Sequence, residues 1–288
     1  MTLTPIFQTN DILGEVPIWC ERRNRLFWVD VRACWLRSWD PVSGKLESTM
    51  MPDWIGSFAL TADDRFLLAA RKSLLVLDPG DNRFETRHVF EADMPANRAN
   101  DGRADRQGRF WFGTLNNHER IPTGHLYLFD GGAVSHHQSD IIVPNALAWS
   151  PDGRTMYFAD SWNGDIWAYD YDQETGARSN QRVLIDKDAL PGIPDGATVD
   201  AEGCLWNARY GAGQVARITP DGRIDQVVEV PTRNLTAVAL GGTDMRDLFV
   251  TSARQRMSAE ELADDPNAGA MFHMRVQTPG LAEPIAKI

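Results

Sequence analysis

Six short apolar clusters recur along the 288-residue chain, most of them led by an Asp, Asn or Gly turn: NRLFWVD, DDRFLLAA, QGRFWFGT, DGRTMYFAD, EGCLWNAR and MRDLFVTS. Their first apolar residues, Leu26, Phe66, Phe110, Met156, Leu205 and Leu248, are spaced by 40, 44, 46, 49 and 43 residues. Aromatic and β-branched residues bounded by turn formers read as strands. An alternating run such as NALAWSPDG precedes a cluster, and runs such as HLYLFDGG and QVARITPDG follow one. Each unit therefore reads as about four antiparallel strands, the pattern of a propeller blade of about 40 to 50 residues. The spacing predicts an all-β fold, a six-bladed β-propeller of four-stranded antiparallel blades, as one domain over residues 1–288.

A β-sandwich or two stacked barrels would also supply regular strands, but neither repeats the same turn chemistry at one point of every unit. A TIM barrel needs long helical segments between strands, and only SAEELADD, residues 258–265, has a helical pattern. The formal net charge of -11 argues against nucleic acid or an anionic membrane as partner, since both are bound by clustered Lys and Arg. Cys20, Cys34 and Cys204 are odd in number and form no CxxC pair, so neither a disulfide framework nor a thiolate zinc site is expected. The N-terminus lacks a signal-peptide pattern, and no run approaches the ~20 apolar residues of a membrane span. The expectation is a soluble, cytoplasmic protein acting on a small molecule, its oligomeric state left open.

Counting back ten or eleven residues from each cluster reaches the start of the strand that would line the central channel. Glu15, Asn100, Asn145 and Asp195 occupy that position in four units, Gly56 in the second, and Ala237 beside Thr236 in the sixth. Equivalent positions on different blades face the same axis. Carboxylates gathered there repel unless a cation lies between them. An all-oxygen donor set suits a hard divalent ion such as Ca²⁺, Mg²⁺ or Mn²⁺, with Zn²⁺ and Fe²⁺ also open, and so few protein ligands leave room for water or substrate. Asp152, Glu202 and Asp221, each followed by a glycine, read as turn formers instead.

The motifs LGEVPIW, RANDGRADRQGRFWFGT, PNALAWSPDGRTMYFADS, IPDGATVDAEGCLW and GGTDMRDLFVTSAR, in that order over about residues 11 to 275, resemble the regucalcin and gluconolactonase family of six-bladed propellers. The resemblance implies one divalent metal on the axis and hydrolysis of a sugar lactone to its aldonic acid. It implies metal ligation by Glu15, Asn145 and Asp195, and substrate binding by Arg98 and Asn100. Val16 and Ala146 depart from the family by standing where glycine is usual, a change of backbone freedom rather than of ligand chemistry. Some relatives place an acidic substrate contact near His118, which makes Asn116, Asn117, His118 and Glu119 candidates for substrate selection, with His118 and Glu119 foremost.

In this reading Asp195 is both ligand and general base for the attacking water, while Arg98 and Asn100 orient ring oxygens. Trp19, Trp54 and Trp162 are candidates to wall the mouth. His136 and His137 read as a solvated outer-strand turn, Gly211 and Gly213 as turn glycines, and Cys20 as a buried apolar residue. The rival function is a calcium-binding regulatory propeller with little catalysis. A paraoxonase-type propeller acting on less polar lactones or esters fits Arg98 and Asn100 poorly.

Overall fold

The computed structural model describes residues 3–288. Among them, 24 strands form six four-stranded antiparallel sheets, the blades of a β-propeller. Blades 1 to 5 each use four consecutive strands, with Gly14–Cys20, Ile55–Leu60, Asn97–Ala104, Pro144–Trp149 and Ile193–Val199 innermost. Blade 6 takes Leu235–Gly241, Asp247–Ser252 and Met271–Arg275 and borrows its outermost strand, Thr4–Phe7, from the other end of the chain. That borrowed strand closes the ring.

Burial follows radial position. Ile55–Leu60, Phe110–Asn116 and Leu235–Gly241 are buried at every residue, because neighbouring blades cover both faces of these strands. The outermost Leu46–Met50 alternates between exposed and half-buried instead. Three deep tryptophans have their indole nitrogens satisfied, Trp28 Nε1 donating to Asp11, Trp206 Nε1 to Asp200 and Trp111 Nε1 to Tyr171, each at 2.9 Å, whereas Trp149 Nε1 is buried without a partner. Asp200 also accepts from the Glu202 and Cys204 amides and from Arg217, so it combines the turn role with a buried ion pair.

Local expectations are met with adjustments. The helical pattern becomes a six-residue helix, Ala259–Asp264, with Ser258 and Glu261 forming a capping box. His136 and His137 lie within the outermost strand Ala133–Ile141 rather than in a turn, and their rings diverge: His136 lies near His125 and Tyr127, His137 at 4.5 Å from Trp111. Gly211 and Gly213 have the positive φ of turn glycines. Among the described residues no helix is long and apolar enough to cross a membrane.

The inner strands start at one end of the channel, and a C-terminal strap crosses the other. The strap hydrogen-bonds to Met245, Ala201, Leu60 and Gly108 in turn, through Gly280, Pro279, Ala286 and Lys287. At its centre Glu283 pairs with Arg103 of blade 3 at 2.8 Å.

Candidate active site

Each inner strand breaks register with its neighbour near its start, between Glu15 and Ile18, Ile55 and Ser57, Ala99 and Gly102, Asn145 and Ala148, Pro194 and Ala197, and Leu235 and Val238. A bulge of this kind re-aims the side chains it carries. Glu15, Asn100, Asn145 and Asp195 sit at these breaks and line one pocket together with Arg98. In blade 2 the matching Gly56 has no room for more, since a Cβ there would lie 2.5 Å from the Ala99 carbonyl. Val16 and Ala146, directly after Glu15 and Asn145, have φ of 48° and 58°, in the left-handed region. Holding a non-glycine residue there costs about 1 kcal/mol or more, so both departures from glycine fall at strained positions directly after a pocket-lining residue.

A polar network fixes the pocket floor. Asn100 Nδ2 donates to the Pro144 carbonyl at 3.0 Å and to Asn145 Oδ1 at 3.3 Å. Its Oδ1 accepts from Arg98 Nη1 at 2.9 Å, and that nitrogen also reaches the Ala99 carbonyl. Asn145 Nδ2 is held by Ser161 Oγ at 2.8 Å, which settles the amide with Oδ1 beside Asn100. Asp195 Oδ1 is buried and has no hydrogen-bond partner. A buried carboxylate oxygen left alone is costly and marks a missing cationic or donor partner.

Electrostatics point the same way. Desolvation, then repulsion by Asp195 and Asp101, holds the Glu15 carboxyl well above the usual range, against the pull of Arg98. Desolvation and Asp101 raise Asp195 likewise. Asp101 itself, desolvated inside the channel, is pushed up to about 6 although it accepts from the Leu147 and Gly102 amides. Arg98 is pushed down to about 9, first by burial and then by neighbouring Arg32, while Glu15 opposes the shift. Acids raised together in a concave site are a signature of function.

Among the described residues no three His, Cys, Asp or Glu side chains form a metal cluster by themselves. The converging set is two carboxylates and a carboxamide oxygen, all hard donors, with one carboxylate oxygen unpartnered. That set fits a single divalent cation of the Ca²⁺, Mg²⁺, Mn²⁺, Zn²⁺ or Fe²⁺ kind.

Other candidates are placed differently. His118 and Glu119 are exposed, their amides capped by Asn116 Oδ1, and that segment lends Leu115 and Arg120 to the pocket instead. Asn117 Oδ1 accepts from both Arg32 and Arg98. Trp162 lines the mouth, 53% exposed; Trp54 stands between Arg32 and Arg71; Trp19 is core, stacked on Phe249. Counting one position per blade passes over Asp101, which the pattern NDG makes legible only if the bulge is foreseen. Arg120 and Arg256 lie between strands, where no periodicity points to them.

Residues 13–254 match the family described as SMP-30/Gluconolactonase/LRE-like region. The chain is 36% identical over 99% of its length to a 6-deoxy-6-sulfogluconolactonase of Pseudomonas putida, with 98% of that protein covered. It is 34% identical over 97% of its length to an L-arabinolactonase of Azospirillum brasilense, covering 93% of it. The crystal structure of a calcium-binding protein, regucalcin, from Agrobacterium tumefaciens superposes with a TM-score of 0.96 at 30% identity, over 100% of this chain and 98% of that one. With the match spanning most of the sequence and the whole propeller, the chain belongs to the SMP-30/gluconolactonase/LRE-like family.

Proposed function

We propose that this protein is a metal-dependent sugar lactonase that hydrolyses an aldonolactone to the aldonic acid. The observation that carries the reading is the unpartnered Asp195 Oδ1, set with Glu15 and Asn145 in the pocket that Arg98 and Asn100 also line. The relatives named for hydrolysing a sulfogluconolactone and an arabinolactone support the sugar-lactone class. Three free cysteines suit a reducing cytoplasm.

Glu15, Asn145 and Asp195 would hold one divalent ion. Bound there, such an ion supplies Lewis-acid polarisation of the lactone carbonyl and offsets the charge of the developing oxyanion. Asp195 accepts a proton from the attacking water at its unpartnered Oδ1. As the water oxygen bonds to the carbonyl carbon and the ring ester C–O bond breaks, that proton is returned to the departing ring oxygen. Arg98, its Nη1 anchored on Ala99 and Asn100 and its Nε on Asn117, would direct its remaining donors to substrate oxygens. Trp162 at the rim offers an apolar face to the sugar.

The test is acid release, followed with a pH indicator, from glucono-, galactono-, arabino- and xylonolactones, with chelator and with each metal restored. Metal-restored release from at least one of them is expected. Tight calcium binding without turnover on any lactone would sink the reading and favour a regulatory propeller.

A further inference from the structure

Beyond Arg98, four more arginines gather at the pocket mouth of this acidic chain. Arg120 and Arg256 line the pocket directly. Arg32 donates to Gln255, another lining residue, and with Arg71 brackets Trp54 at 4.2 and 5.1 Å. Among the described residues none of the five has a carboxylate within 4.0 Å, whereas Arg103, Arg109 and Arg217 are paired with Glu283, Asp105 and Asp200. Arg120 Nε is buried without a hydrogen-bond partner, and its guanidinium lies 5.1 Å from the Trp162 ring. Arg256 is exposed and held at φ 64°, a strained conformation for a residue other than glycine.

Clustering like charges has a cost. Arg32 and Arg120 are lowered first by desolvation and then by Arg256. Forty acidic against 29 basic residues leave ample carboxylates to quench such a cluster, yet none reaches it. The carboxylates Glu15 and Asp195 that line the pocket do not balance it: Arg98, Arg120 and Arg256 set three guanidinium groups against two carboxylates in the lining, before Arg32, Arg71 or any metal adds positive charge. A net charge of -11 would repel an anionic ligand from the surface as a whole, so a cationic mouth is the feature that admits one.

We propose that the lactone this protein takes carries an anionic group remote from the ring ester, a sulfonate, phosphate or carboxylate, and that Arg120 and Arg256 bind it at the rim. This rests on the lactonase reading above. The carboxylate made by ring opening forms at the floor, beside Glu15, Asn145, Asp195 and Arg98, and so does not account for the rim arginines. Guanidinium groups offer forked donors that match each of these anions, and Arg32 and Arg71 add long-range attraction.

The test compares kcat/KM of the metal-loaded protein on glucono-1,5-lactone with that on gluconolactones bearing a 6-phosphate, a 6-sulfonate or a C6 carboxylate. At least one anionic lactone is expected to exceed the neutral one at least tenfold. That ratio should fall at least tenfold, mainly through KM, in Arg120→Gln and in Arg256→Gln, with partial recovery in Arg256→Lys. A neutral lactone preferred over all three, or a ratio unmoved by both Gln variants, overturns the inference while leaving the lactonase reading intact. Calorimetry gives a readout independent of turnover: 6-phosphogluconate should bind at least tenfold more tightly than gluconate, and the preference should shrink in Arg256→Gln. Equal binding of the two overturns the inference; absence of turnover on every lactone overturns the lactonase reading alone.

Discussion

Asn100 Nδ2 donates to Asn145 Oδ1 at 3.3 Å, across 45 residues of sequence and the boundary between blades 3 and 4. One repeat of the chain thus brings equivalent positions into contact, and Arg98 extends the link by donating to Asn100 Oδ1. The metal-binding and substrate-binding groups of the proposal are mechanically joined, which shapes what each substitution should do.

Asp195→Asn removes the proposed proton acceptor while keeping the size of the side chain. General-base contributions are about 10²- to 10⁴-fold, so kcat should fall at least a hundredfold while circular dichroism and the unfolding midpoint show an intact propeller. Turnover within tenfold of the parent would assign the base to another group.

Arg98→Ala should lower kcat/KM on any lactone that turns over by about 10- to 100-fold, since a buried charged donor to substrate is lost. Metal affinity should hold or tighten, because Arg98 opposes the raised proton affinity of Glu15 through a positive charge that also repels a bound cation. A calorimetric metal titration checks this, and weaker metal binding would place the Arg98–Asn100 pair in direct support of the ligands.

In the chelator-treated protein Asp101→Asn should gain stability relative to the parent as pH rises, on top of a pH-independent cost, because the new Nδ2 would face one of the two amides, Leu147 and Gly102, that donate to separate carboxylate oxygens. The folded-state value of about 6 lies above the ordinary 3.8, so ionised Asp101 costs stability at high pH, and the cost fades as pH falls through about 6 toward 3.8. Partial access to channel water reduces the expected gain to about 1 to 2 kcal/mol. Denaturant melts at pH 8 and pH 3 should differ by that gain, the Asn variant faring better relative to the parent at pH 8; an equal effect at both would rule out a charge origin.

Glu283→Ala leaves Arg103 without its carboxylate and unpins the C-terminal strap. Breaking a largely buried ion pair by removing one partner costs about 2 to 4 kcal/mol, read as a lower unfolding midpoint. The replacement of both partners, Arg103→Met with Glu283→Leu, should recover part of it, and no recovery would mean that packing of the strap rather than the ion pair is at stake.

The blade count and the axial positions were legible because turn chemistry repeats: Glu15, Asn145 and Asp195 stand ten or eleven residues before Leu26, Met156 and Leu205. Asp101 was not, since strand alternation would send it away from Asn100, and only the bulge between Ala99 and Gly102 cancels the alternation. Thr4–Phe7 carries too short a pattern to reveal that it completes blade 6. His118 and Glu119 illustrate the limit for loops: a motif locates the segment, but backbone geometry selects Leu115 and Arg120 to face the pocket. Trp19 was misplaced at the mouth because an inner-strand aromatic looks the same in sequence whether it faces the channel or the next blade.

The most direct measurement is a titration of divalent metal into chelator-stripped protein while acid release from a lactone substrate is recorded. Activity should rise linearly and break at about one metal per chain, the stoichiometry of a single open ligand set, and should not rise in Asp195→Asn. Full activity in the stripped protein, or restoration that continues well past one equivalent, would contradict a single catalytic ion held by Glu15, Asn145 and Asp195.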